Sequence, residues 1–156
     1  MFHLIMYQPE IPPNTGNVIR LCANVGAALH LVHPLGFSMD DRSLRRAGLD
    51  YAALANVREH EDLESCLDVV KPKRVFALTT RGQRSLFDAR FEIEDAFLLG
   101  PETRGLPQAI LNALPAESRL KIPLRPGNRS LNVSNAAAVA LYEAWRQVDF
   151  AQPIRP

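Results

Sequence analysis

Val75-Phe76-Ala77-Leu78-Thr79 is an unbroken apolar run with none of the alternation of a half-exposed strand. A strand of that kind is covered on both faces, as in a parallel sheet sandwiched between helices. Outward from it, the chain reads as more of the same. Before it, residues 2–8 form a short buried strand, followed by a helix opening at Asn14 or Thr15 and closing near Gly26. The apolar face of that helix is Val18, Cys22 and Val25, with Ile19 beside them. A second strand at 28–33, a helical segment at 40–47, a short strand at 55–58 and a helix at about 61–70 lead back to Val75, the last ending ahead of Pro72. Beyond it come a strand at 96–100, a helix near 107–114, a strand from Arg119 to Leu124, a loop at 125–131 and an amphipathic helix at about 133–148. In that last helix Ala137, Ala140, Leu141, Ala144, Trp145 and Val148 recur at helical spacing.

Strands alternating with helices predict an α/β fold: a mostly parallel sheet with helices on both faces, in one domain spanning 1–156. In such sheets ligands gather beyond the carboxyl ends of the strands. The loops at 9–17, 79–85, 100–106 and 123–132 are therefore the candidate site, and they hold most of the glycines and half of the prolines.

Composition narrows the function classes. No stretch approaches the roughly 20 apolar residues of a membrane span, and Met1 to Tyr7 lacks the basic flank and cleavage site of a signal peptide. A cytoplasmic protein is expected, with no membrane partner. Cys22 and Cys66 are too few for a disulfide framework and read as thiols in a reducing compartment. His3, His30, His33 and His60 have no metal-ligand spacing, so no metal is expected. Net charge is +1, but arginine outnumbers lysine fifteen to three, and arginine is suited to bidentate phosphate contacts. Residues 40–68 carry eight acids and four arginines, whereas 118–142 carry Arg119, Lys121, Arg125 and Arg129 and no acid. A local basic patch on a near-neutral chain permits RNA binding. The pair Arg45-Arg46 reads as a solvated helix face or an RNA contact.

Three segments carry chemistry. Asn14-Thr15-Gly16-Asn17 enters a helix whose free N–H groups, with Arg20 close by, offer an anion site; N-capping beside a solvated arginine is the plain alternative. Gly100-Pro101-Glu102-Thr103-Arg104-Gly105 follows a buried strand, and its glycines allow close backbone approach to a ligand. It is neither the three-glycine dinucleotide fingerprint nor a phosphate loop with its lysine, and Glu102 argues for a cationic or amine-bearing ligand. Ile122-Pro123-Leu124 leads through Arg125 and Arg129 to Ser130-Leu131-Asn132-Val133-Ser134-Asn135-Ala136, where Ser130, Asn132 and Ser134 alternate as donors for one pocket. The small run Ala136-Ala137-Ala138 permits close packing of the last helix. No Ser/His/Asp arrangement with a nucleophile elbow is visible.

Together, Asn14-x-Gly16-Asn17-x-x-Arg20, Leu99-Gly100-Pro101-Glu102-x-x-Gly105 and Ile122-Pro123-Leu124 leading to Ser130-Leu131-Asn132-x-Ser134-Asn135-Ala136 resemble the three motifs of the SPOUT methyltransferases. Their order and spacing resemble the branch that methylates ribose 2'-hydroxyls, and the chain is close to minimal, like members acting at the anticodon wobble position of tRNA. The resemblance implies a deep C-terminal trefoil knot holding S-adenosylmethionine, released as S-adenosylhomocysteine. It implies transfer of the methyl to nucleotide 34, C or U, with leucine tRNAs as substrates, by a homodimer whose active sites borrow from both subunits. By resemblance Arg20 is catalytic, with Asn14, Glu102, Ser130 and Asn132 around it. Leu78, Gly100, Ile122, Leu124, Ser130 and Leu131 would hold the cofactor, and Asn17, Arg20, Arg129 and Tyr142 would meet RNA. Tyr142 packing in the core is the alternative. A ribosomal RNA ribose as target, or a non-catalytic RNA binder with this fold, are the rival readings.

Overall fold

The computed structural model describes residues 1–40, 42–45 and 51–151. Seven strands form one sheet: β1 (His3–Tyr7), β2 (Ala28–Val32), β3 (Val57–His60), β4 (Arg74–Leu78), β5 (Arg84–Ser85), β6 (Asp95–Leu99) and β7 (Arg119–Lys121). Their order across the sheet is β3-β2-β1-β6-β4-β7-β5, and every pairing is parallel. Among the described residues six helices accompany them: α1 (Pro12–Val25), α2 (Arg42–Arg45), α3 (Tyr51–Leu54), α4 (Leu63–Val70), α5 (Gln108–Ala113) and α6 (Val133–Gln147).

Strand side chains alternate between two apolar layers, and the polar positions of the central strands, His3, His30, Arg74 and Asp95, are held in hydrogen bonds. Leu4, Met6, Leu29, Leu31, Phe76, Phe97 and Leu99 join Val18, Ile19 and Cys22 of α1 and Ala137, Ala140, Leu141 and Ala144 of α6 in one core. Ile5, Val32, Ala77, Ala96 and Leu98 face the other way, against Cys66 of α4 and Leu111 of α5. The aromatic centre of the first layer is Phe97, with Phe91 edge-on at 5.0 Å and Phe76 stacked at 6.2 Å. At the β4–β6 pair, Asp95 is fully buried and accepts from Arg74 Nε at 2.9 Å, from Arg74 Nη2 at 2.6 Å and from the Glu92 N–H at 2.7 Å.

Several boundaries differ from those read in the sequence. Helix α1 opens at Pro12, not at Asn14 or Thr15: Ile11 is its N-cap, and the two prolines occupy the positions where a missing N–H costs nothing. It ends as expected at Gly26, in the left-handed conformation at φ 70°. Strand β7 stops at Lys121 and not at Leu124, since Pro123 has no N–H to donate to a ladder. Strand β3 lies two residues later than expected. The two-residue β5, the single turn α3 and short 3-10 turns at Leu86–Asp88 and Ala116–Ser118 carry too little periodicity to be read in sequence. The small face of α6 packs against α1 of the same chain. Arg46 and the side chain of Arg45 lie outside the described residues.

Candidate functional site

Because all strands run the same way, the segments following β1, β4, β6 and β7 meet at one edge of the sheet. They enclose a cleft of about 860 Å³ where β1 leads outward to β2 on one side and β6 to β7 on the other. That is a switch point in strand order, where open α/β sheets bind ligands. The volume suits a nucleoside-sized molecule.

The cleft floor is Leu78, Leu99 and Gly100 at the strand ends. At Gly100 a Cβ would stand 2.3 Å from the Leu106 backbone nitrogen, so only glycine lets the loop fold back on the strand. Gly105 closes that loop with φ +67°. Ile122 and Leu124 form one wall, and Ser130, Leu131 and Asn132 the other. Leu124 and Leu131 are each 37% exposed, which is unusual for leucine and leaves apolar surface facing the opening.

Hydrogen bonds tie the three motif segments together. The Asn132 Nδ2 donates to Asn14 Oδ1 at 2.9 Å, across 118 residues of chain. The same Asn132 caps α6, its Oδ1 accepting from Ser134 N at 2.9 Å and Ser134 Oγ at 2.5 Å. Glu102 accepts from the backbone N–H groups of Glu10 at 2.7 Å and Ile11 at 3.2 Å. Reciprocally, Glu10 accepts from Thr103 N at 3.1 Å and from Thr103 Oγ1 at 2.8 Å, and these bonds hold the Glu10 carboxyl below its usual range. The result is a two-carboxylate clasp between the β1 and β6 loops.

This geometry corrects two expectations. The start of α1 is not an open anion site: Pro12 and Pro13 have no N–H, the Asn14 N–H is turned to the Ile11 carbonyl at 3.1 Å, and the adjacent anion is Glu102 itself. Ser134 does not line the cleft; its donors are used in the helix cap.

Asn14, Leu78, Gly100, Glu102, Ile122, Leu124, Arg129, Ser130, Leu131 and Asn132 are brought together in the cleft. Arg20, Asn17 and Tyr142 are not: all three are exposed and lie outside its lining. Arg20 forms no ion pair among the described residues. Tyr142 is 46% exposed, edge-on to Trp145 at 5.9 Å, which excludes core packing. Thr79 and Arg81 of the loop 79–85, Arg104 of the second motif and Lys121 of the basic stretch, none of them assigned a role from sequence, also line the cleft. Arg81 is fixed by bonds to the Leu106 carbonyl at 2.5 Å and Gln108 Oε1 at 2.8 Å. Its position at the carboxyl end of a central strand was the available signal. With Arg129 these residues give the opening a cationic rim, suited to a phosphate backbone.

The profile of the SpoU rRNA Methylase family matches residues 1–142. A tRNA (cytidine(34)-2'-O)-methyltransferase of Methylovorus glucosotrophus is 57% identical over 151 residues, 97% of this chain and 98% of the relative. The protein of the same name in Escherichia coli K12 is 51% identical over 150 residues, 96% of each chain. A solved structure concerned with the 2-OH methylation of C/U34 on tRNA superposes with a TM-score of 0.88 at 47% identity, covering 96% of this chain and 97% of the other.

Proposed function

The chain belongs to the SpoU rRNA methylase family, and we infer that it transfers a methyl group from S-adenosylmethionine to the ribose 2'-hydroxyl of nucleotide 34, a cytidine or uridine, of tRNA. With the family comes its fold, including the C-terminal trefoil knot that is an exception to the rule against threaded chains. The observation that carries the reading is the single cleft in which all three motif segments meet behind a cationic rim.

The cleft fits the methyl donor. Leu78, Gly100, Ile122, Leu124, Ser130 and Leu131 are the residues that would hold it: backbone at the strand ends, apolar side walls, and a Ser130 hydroxyl with no partner among the described residues. The donor supplies an electrophilic methyl for in-line attack by a ribose hydroxyl. The protein's part is then orientation and proton management. Asn132 and Asn14 brace the loop against α1, and Glu102 holds the β1 loop in place. Both roles are positioning. Arg20 would grip the attacking hydroxyl and its neighbouring phosphate; a guanidinium does not act as a base at physiological pH, so the proton leaves late or by way of that phosphate. Asn17, Arg129 and Tyr142 are RNA contacts in this reading.

The active unit is a homodimer. Two features support this: Arg20 sits outside the cleft of its own chain, and Tyr142 and Phe150 leave aromatic surface exposed. We place the protein in the cytoplasm, consistent with tRNA as substrate and with two buried free thiols. Among the described residues no helix is long and apolar enough to cross a membrane.

The deciding experiment is methyl transfer from labelled S-adenosylmethionine into total tRNA from a strain lacking the protein, followed by nucleoside mass spectrometry. The expected result is 2'-O-methylcytidine or 2'-O-methyluridine mapping to position 34, and the same map identifies the isoacceptors. Transfer into ribosomal RNA alone would keep the chemistry and overturn the target.

A further inference from the structure

On the sheet face opposite α1 and α6, three strands and a helix place four nitrogen and sulfur donors in a row that the methyl-transfer cleft does not use. Cys66 of α4 is fully buried, His30 of β2 is 3% exposed and His60 of β3 is 9% exposed. One ligand atom from each of these three lies within 4.8 Å of the other two. His30 Nδ1 is 2.9 Å from His60 Nε2. We propose that His30, His60 and Cys66 form a binding site for one divalent zinc-like cation, its fourth position taken by water.

Hydrogen bonding sets the tautomers in the sense a metal needs. Glu94 accepts at 3.0 Å from Nε2 of His3, so that nitrogen carries the proton and, in the neutral ring, His3 Nδ1 is the acceptor. It takes a hydrogen bond from Nε2–H of His30 at 3.3 Å. The lone pair of His30 therefore sits on Nδ1, aimed at His60. A ligating histidine whose other N–H is passed along to a carboxylate is the usual outer arrangement of a metal site, and here the relay ends at Glu94 and the N-terminal amine, 2.5 Å apart.

The dimensions are close. Around a tetrahedral ion with bonds of roughly 2.0 Å to nitrogen and 2.3 Å to sulfur, neighbouring donors stand about 3.3–3.6 Å apart. The two imidazoles would separate slightly, and the Cys66 sulfur would move in by a side-chain rotation. Two imidazoles and a thiolate are a donor set for zinc or cobalt and a poor one for magnesium or calcium. The proton balance is simple. The thiol of Cys66 loses its proton to solvent, and His60 exchanges its Nε2–H for an Nδ1–H, so one proton is released per ion bound. None of this was visible in linear spacing, because positions 30, 60 and 66 come from three separate elements.

The test uses the untagged full-length protein, stripped with a chelator and dialysed, then titrated with Co²⁺. The expected result is one ion per chain, with a sulfur-to-cobalt charge-transfer band in the near ultraviolet that Zn²⁺ abolishes. Cys66→Ala should remove the band and weaken Zn²⁺ binding by about 100-fold or more, with methyl transfer and the circular dichroism spectrum unchanged. Cys22→Ala should keep the band, and His60→Gln serves as a second ligand variant. No thiolate band in the parent protein, or an equal band in Cys66→Ala, would overturn the proposal and leave a hydrogen-bonded histidine chain alone.

Discussion

In the proposed mechanism Arg20 is the residue on which the chemistry turns, and its place outside the cleft defines what can be asked of it. It is exposed, on α1, and unpaired among the described residues. A guanidinium in that setting contributes little to stability but can hold a phosphate and a hydroxyl in fixed relation. Arg20→Ala is expected to lower kcat by at least about 100-fold, the cost of misplacing a reacting group. The affinity for S-adenosylmethionine by calorimetry should stay within error of the parent, because the residue does not line the donor pocket. Full activity in this variant would remove Arg20 from the mechanism. At this scale most of the residues singled out from sequence meet in the cleft, but their partners were not legible. Glu102 reads as a carboxylate for a cationic ligand, yet its oxygens accept backbone N–H groups of Glu10 and Ile11. Ser134 reads as a donor for the pocket and instead donates to Asn132, the cap of α6. Their partners come from distant segments or from backbone, and a residue type does not announce either.

Between elements, the cleft depends on loops held by a few short-range constraints. Gly100 shows this most sharply. A methyl at that position would meet backbone of Gly105 and Leu106 at 2.5 and 2.3 Å, and backbone cannot swing aside as a flexible side chain does. Gly100→Ala is expected to lower stability by about 1–3 kcal/mol in urea unfolding, the usual cost of forced overpacking. Calorimetry should show a larger proportional effect, with S-adenosylmethionine binding at least about 10-fold weaker because the clash sits in the cleft floor. Unchanged binding would mean that the donor does not approach this loop. The elements flanking the loops were the legible ones. The run 75–79, the strand at 96–100 and the helix at 133–148 are long and strongly patterned, and each lies within one residue of its observed bounds. The misread ends have local causes. At α1, paired prolines open the helix two residues ahead of the residues that look like caps. At β7, Pro123 ends a run whose apolar residues suggest that it continues.

At the scale of the whole molecule, the proposed role of Arg20 turns on whether it serves its own cleft or that of a second copy. Helix α6 uses its alanine face to pack on α1. An interface between copies therefore has to use other surface, and the aromatic group of Tyr142, Trp145 and Phe150 is available for it. If Arg20 reaches the cleft of a second copy, the site is divided between chains, and complementation separates this from the alternative. Arg20→Ala homodimers should be nearly inactive at any donor concentration, and Gly100→Ala homodimers should be so at a donor concentration kept well below their weakened dissociation constant. In a heterodimer isolated with two different tags, one site pairs an intact donor pocket from the Arg20→Ala chain with Arg20 from the Gly100→Ala chain. The other site carries both defects. Activity of about half the parent value per dimer is then expected, since a two-fold assembly has two equivalent sites and one is whole. If Arg20 instead acts on its own chain's cleft, each site keeps one defect and the heterodimer stays as inactive as its parents. A monomer at working concentration by light scattering would sink the shared-site reading before any mixing.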